Sequence, residues 1–477
     1  MEHKSGKSRE QLSIRCLEDM VEASSPARQI DRFVDEADTS YFTKSTPKET
    51  GCRPFDPKDH LKLLLYGMDT NVHSTRKLAR QTRVNIEVMW LLNELKPDST
   101  TIRNFRRENA EQLARFFSEF SKKLYEEGYI DGKIVAIDGT KIRANNSKRN
   151  NFSVKKLDWH IEYINNKLKE YICELDKNDK IEELEERKAK YESFKDRIAK
   201  GEVSEVSTTD PDSRLMRQGN NGTDVSYNVQ AAVDSKNKLL VGMLVTSEAN
   251  DQEQLYDVAI SVKNNLGLEE IIVPADSGYH SAEEIKKCHE NKITTLVATP
   301  ESKSPSKKIF DKSQFLFDKE NDCYYCPAGQ RLNFLLEDKK GFKRYGNRNA
   351  CKDCSMKPHC TKGGYREICR HKYADYAEKN DLDVKNNQDV YKLRQLLCEH
   401  PFGTIKRTMG IRQFLTRGIK NVTAEAALIF IAYNLKRLRS IQANEPINTG
   451  DLTLCCQLLT QICLFLLLTL STPKTLI

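Results

Sequence analysis

Neither glycine nor proline is abundant, at 21 and 14 of 477 residues, so a collagen-like repeat is excluded. Charge of one sign is also missing: 77 Lys and Arg face 69 Asp and Glu, a formal net of +8. With 38% hydrophobic and 31% charged residues, the chain is neither a disordered polymer nor a multi-span membrane protein. The opening MEHKSGKSRE lacks the apolar segment of a secretory leader, so a cytoplasmic, nucleoid-associated protein is expected. A mild positive excess permits a polyanionic partner without requiring one.

What is present is a clear internal organisation. Residues 1–50 read as a polar arm. Residues 51–130 carry helical apolar spacing in LKLLLYGM (61–68), STRKLARQT (74–82), VMWLLNEL (88–95) and 108–128, with Asp98 starting a helix over 101–107. Arg103, Arg106 and Arg107 fall in this region, which reads as a helical DNA-binding domain. From 131 to 300 the period switches. KIVAID (133–138) is a buried strand ending in an acid. A charged helical insertion (154–205) follows, then strands at 225–234 and 239–247, a helix over 251–265, a strand at 270–275, a helix at 281–290 and a strand at 293–299. That order predicts an α/β, ribonuclease H-like core. Residues 301–375 are a cysteine-rich insertion and 376–440 return to the core. The 441–477 tail holds a nineteen-residue uncharged run at 452–470, read as a packed or dimer-seam helix rather than a span.

Asp138 and Asp276 are expected at the carboxyl ends of neighbouring strands, where open α/β sheets bind ligands. Paired carboxylates suit magnesium, which takes its remaining ligands from water and phosphate. In YKLRQLLCEHPFGTIKR (391–407), Glu399 can complete the set, while Tyr391, Arg394, Lys406 and Arg407 share its helix or its flank and can hold phosphates. Lys141 and Arg143 form a further basic run after Asp138. Two C-x₂-C pairs, Cys323/Cys326 and Cys351/Cys354, fit a zinc ribbon, with Cys360 or His359 as possible substitutes for one ligand. Residues 339–372 hold eleven Lys and Arg against Asp353 and Glu367, which suggests a clamp on nucleic acid.

AIDGTKIRANNS (136–147), TTDPDSRLM (208–216), YNVQAAVD (227–234), VTSEANDQEQL (245–255), ADSGYHS (275–281) and EHPFGTIKR (399–407) resemble bacterial insertion-sequence DDE transposases. The similarity is to the group with a helical N-terminal domain and a cysteine-rich insert, related to the IS-eleven-eighty-two type. It implies a triad of Asp138, Asp276 and Glu399 holding two Mg²⁺ (or Mn²⁺) ions, and terminal-repeat and target DNA as partners, with no small-molecule substrate. It also implies a homodimer or larger assembly, because two DNA ends must be held together. Glu399 and Lys406 keep the Y-R-E-K spacing; Arg394 and Glu399 have four residues between them, one more than that signature. The function expected is cleavage of element ends and joining of the 3′-hydroxyl to target DNA. The rivals are a catalytically silent DNA-binding repressor and a magnesium-dependent nuclease without strand transfer.

Overall fold

Asp56 and Pro57 open one of several well-capped helices: the Asp56 carboxylate accepts from the Lys58 amide, and Pro57 needs no amide partner in the first turn. The computed structural model describes residues 10, 14, 16–42, 53–172, 178–201, 205–218, 222–300 and 310–444. The expected packed helix at 452–470 lies outside them, as do parts of the 1–50 arm. The chain divides into one compact unit through Asn434 and a second from Leu435. Of the second unit, the described part is the helical end 435–444. No described helix is long and apolar enough to cross a membrane.

The helical region is α1 (Pro26–Glu36), α2 (Pro57–Asp69), α3 (Thr75–Val84), α4 (Ile86–Leu91), α5 (Ser99–Glu108) and α6 (Ala110–Glu126). Every residue of α2 but Lys58 and Asp59 is buried. It therefore carries Leu on all faces rather than on one stripe. Its buried Lys62 is matched by Asp31 at 2.6 Å and Asp35 at 2.8 Å on α1. Phe33, Phe42, Phe105, Phe116 and Phe120 form the aromatic core beside it.

The core strands are β1 (Val135–Arg143), β2 (Asn151–Phe152), β3 (Val206–Ser207), β4 (Arg214–Arg217), β5 (Thr223–Asp234), β6 (Leu240–Thr246), β7 (Ile271–Ala275) and β8 (Ile293–Val297). Between β2 and β3 the insertion is the helical hairpin α7 (Val154–Ile172) and α8 (Asn178–Ala199). Helices α9 (Leu255–Leu266) and α10 (Ala282–Glu290) precede β7 and β8. The main sheet has the order β4-β5-β1-β7-β8, with β6 also on β5. β1, β5 and β6 pair antiparallel, and β1, β7 and β8 pair parallel. The β5 strand is long enough to take β4 along its first residues and β6 along the rest; β4 was not anticipated from the sequence.

One expectation changes. The first strand does not stop at Asp138 but continues to Arg143, because β5 goes on supplying partners as far as Ser226. Only the parallel neighbour ends at that level.

The cysteine-rich insertion is a five-stranded antiparallel sheet of β9 (Leu316–Asp318), β10 (Cys323–Tyr325), β11 (Arg331–Glu337), β12 (Phe342–Gly346) and β13 (Glu367–His371), with short helices α11 (Arg348–Lys352) and α12 (Lys357–Cys360). Phe315, Tyr324, Leu332, Tyr345 and Ile368 make its own small core. Then come α13 (Ala374–Asn386), α14 (Gln388–Gly403), a wide π turn over Thr404–Thr408, and α15 (Ile419–Asn444). Two buried asparagines bolt helices to the sheet. Asn380 accepts from the Val297 amide and donates to its carbonyl, and Asn434 does the same with Leu240.

Candidate active site

β1 and β7 lie side by side, with Ile137 paired to Ala275. The next residue on each strand is an aspartate, so Asp138 and Asp276 emerge at the same level of the sheet. Asp138 is partly buried and its Oδ1 accepts from the Gly139 amide at 2.8 Å. Asp276 is exposed and caps a single turn by accepting from the Ser277 amide at 2.7 Å. Burial pushes the Asp138 carboxyl up to about 6; the Gly139 amide and Arg394 oppose this, while Asp276 and Asp251 add to it.

Asp251 is a third carboxylate that sequence reasoning did not single out. Its Oδ1 accepts from Asn228 at 2.6 Å, Gln230 at 2.8 Å and Lys141 at 3.1 Å. Tyr279, two residues beyond Ser277, hydrogen-bonds to Gln230, so this network ties β5 to the turn after β7. A Cβ on Gly139 would lie 2.7 Å from Gln230 Nε2 and 3.0 Å from Asp251 Oδ1. Glycine is required there for close approach. The only sequence signal for Asp251 was its place in VTSEANDQEQL.

Helix α14 packs across β1 and β7. Arg394 comes within 3.7 Å of Asp276 Oδ1, stands over the Tyr391 ring at 5.7 Å, and leaves a buried Nε without a partner among the described residues. Cys398, one turn on and on the same face, is buried beside Asp138; burial first and that charge second hold its thiol well above the ordinary range. Glu399 is the next residue round the helix. It is exposed and accepts from Gln395 at 2.9 Å, so it is not gathered against the two aspartates. Lys406 reaches Thr140 at 2.5 Å from the far side, its pKa lowered by burial. Arg407 is exposed, whereas Arg143 is engaged by Asp224 at 2.8 Å and Lys141 by Asp251. Among the described residues no three His, Cys, Asp or Glu form a preassembled metal cluster.

Residues 325–439 match the family described as Transposase DDE domain, and residues 15–108 match Transposase domain (DUF772). Both matches are to transposase domains, and together they indicate an insertion-sequence DDE transposase. The first match takes in Glu399, Lys406 and every cysteine of the insertion but Cys323; Asp138 and Asp276 lie outside both. No curated protein matches the chain. Among solved structures, a piggyBac transposase synaptic complex with hairpin DNA aligns at 9% identity and a TM-score of 0.29, over 94% of this chain and 79% of that one. That likeness is too loose to carry any argument.

Cys326, Cys351, Cys354 and Cys360 line one cavity, and the other three add to the upward shift that burial gives the Cys360 thiol. Cys323 does not line it. Side chains alternate along a strand, and with Tyr324 in the small core Cys323 faces the other way. Cys326 lies beyond the strand, in a turn closed by Gly329 N–H to Cys326 O at 2.8 Å. His359, the other substitute, is exposed and outside the cavity lining. In the helical domain, Arg103 is exposed and Arg106 buried.

Proposed function

We propose that this transposase cleaves the ends of a DNA element and joins the freed 3′-hydroxyls to target DNA, on a ribonuclease H-like core. The pairing of Ile137 with Ala275 carries the reading: it sets two aspartates side by side at the level where the parallel pair ends. The strand order and the mix of antiparallel and parallel pairing support the fold assignment.

The donor set suits a hard divalent cation. Asp138 is desolvated, and the nearby Asp276 and Asp251 further disfavour its charge, an arrangement a cation would relieve. Asp138 and Asp276 would hold Mg²⁺ or Mn²⁺, which supplies activation of the attacking oxygen and stabilisation of the leaving one. Glu399 would complete the set. It adjoins Cys398, and Pro401 and the wide turn after Gly403 loosen the helix just downstream. Arg394, whose Nε has no partner among the described residues, and Lys406 would orient phosphates flanking the scissile bond. Both cleavage and joining are in-line displacements at phosphorus, so one such site serves both.

Cys326, Cys351, Cys354 and Cys360 would hold zinc, which supplies a structural crosslink for an insert whose core cluster, among the described residues, has five buried side chains.

The test is transposition of a marked cassette flanked by the DNA bordering this gene. Movement is expected with wild type and not with Asp138→Ala. Joining of pre-cut ends separates a transposase from a nuclease, and an Asp276→Asn protein that still cut DNA would sink the assignment. The exposed position of Glu399 favours the silent repressor as the second reading, which predicts specific binding of those flanks by wild type with no movement.

A further inference from the structure

Between the helical region and the core lies a cleft lined by Arg76, Arg103, Arg106, Arg107 and Arg417, together with Asn145 and Asn421. Arg103, Arg106 and Arg107 share one face of α5, at spacings of three and four residues. Arg106 is only 7% exposed, and its Nη1 has no hydrogen-bond partner among the described residues. A buried guanidinium N–H left unmade costs free energy, and converging like charges add to that cost. Arg107 touches Glu108 at 3.4 Å, but both are well exposed, so that pair offsets little.

The opposite wall is rigidly built. The Glu425 carboxylate takes the Leu415 and Thr416 amides and the Thr416 hydroxyl. Asp210 takes the Gly418 amide at 3.1 Å and Asp212 the Ile419 amide at 2.8 Å. Arg417 is itself fixed by Nε donating to the Asn145 carbonyl at 2.9 Å. Three acids of this wall thus accept from backbone amides, and none of them forms an ion pair with the cleft arginines among the described residues. The TTDPDSRLM segment, which supplies Asp210 and Asp212, gains a physical role: it holds the Arg417 loop.

We infer that this arginine cleft is a binding site for the sugar-phosphate backbone of duplex DNA, clamped between the helical domain and the Arg417 loop. This rests on the DNA-transposase reading and adds Arg76, Arg417, Asn145 and Asn421 to it. β1 connects the two places directly, running from Asp138 to Arg143 with Ala144 still bonded to Val225. Asn145 follows two residues after the strand ends, so at about 3.3 Å per residue it lies at most about 23 Å from Asp138. A duplex lying along β1 would therefore be gripped within about seven base pairs of the scissile phosphate, at 3.4 Å per phosphate on each strand.

The experiment measures binding of the full-length protein to a fluorescein-labelled duplex by anisotropy as salt is raised. The variants are Arg103→Gln/Arg107→Gln/Arg417→Gln, the matching triple Lys variant, and Arg106→Gln, each checked by thermal melting. The Gln triple is expected to weaken binding by on the order of tenfold or more. It should also flatten the plot of log affinity against log salt by roughly 0.9 for each phosphate no longer neutralised. The Lys triple is expected to keep the slope. A folded Gln triple with the wild-type slope overturns the cleft while leaving the wider DNA reading intact. A wild-type protein that binds no duplex overturns both.

Discussion

At the scale of single residues, Asp138 is expensive before anything binds to it. Its carboxyl sits at about 6 rather than 3.8, a difference of roughly two units, or up to about 3 kcal/mol at neutral pH. Asp138→Asn keeps an oxygen for the Gly139 amide and removes the buried charge. The metal-free variant is therefore expected to melt several degrees above wild type while losing all strand cleavage. A variant that melted lower would show that burial does not strain this carboxylate. His60 behaves in the opposite sense. It stacks on Phe105 at 4.6 Å, its Nε2 is buried without a partner among the described residues, and burial lowers its pKa. The unfolded chain then takes up a proton more readily, so the stability His60 gives is complete above its ordinary value near 6.5 and is lost as pH falls below it. A His60→Leu variant should show less acid sensitivity between about pH 6.5 and 5 than wild type in urea melts; identical pH profiles would remove His60 as the cause.

At the scale of elements, the sequence showed more of the sheet than of the site. The α/β alternation, the helical insertion and the aspartates following Ile137 and Ala275 were legible because buried strands are short apolar runs with sharp ends. Three things were not. The overrun of β1 depends on the length of its partner β5, a pairing that no local pattern records. Asp251 lies in a loop, and its importance comes from side chains on β1 and β5. The cavity takes Cys326 from the turn beyond β10 but not Cys323 from the strand itself, where it faces away from Tyr324, a difference that the C-x₂-C spacing does not record. This last point is directly measurable. Cys323→Ser should retain about one zinc per chain by elemental analysis, whereas Cys326→Ser and Cys360→Ser should lose it and lower the melting temperature of the insert. Zinc lost from Cys323→Ser but kept in Cys360→Ser would restore the simple pairing.

At the scale of the whole molecule, the chain carries one large insertion between strands of the main sheet and a second after its last strand, and Asp138 and Asp276 still emerge at the same level. The helical insertion shows how. It leaves and re-enters through the short ladder Asn151↔Ser207 and Phe152↔Val206, with the Thr208 amide bonded to the Asn150 carbonyl at 3.0 Å. Entry and exit are thus adjacent, and a tight turn can close the gap. Within the hairpin, Phe152 packs with His160, Tyr191 and Phe194, so its rings are shielded by its own helices. Replacing residues 152–206 by a two-residue Asn-Gly turn between Asn151 and Ser207 should therefore leave the rest of the chain folded, with thermal melting close to wild type. The α7–α8 hairpin contributes to neither the carboxylates nor the arginine cleft, so duplex affinity and its salt dependence should also be kept. A truncated chain that aggregates or melts early would show that the hairpin supports the core; one that folds but loses duplex binding would place a DNA contact on the hairpin itself.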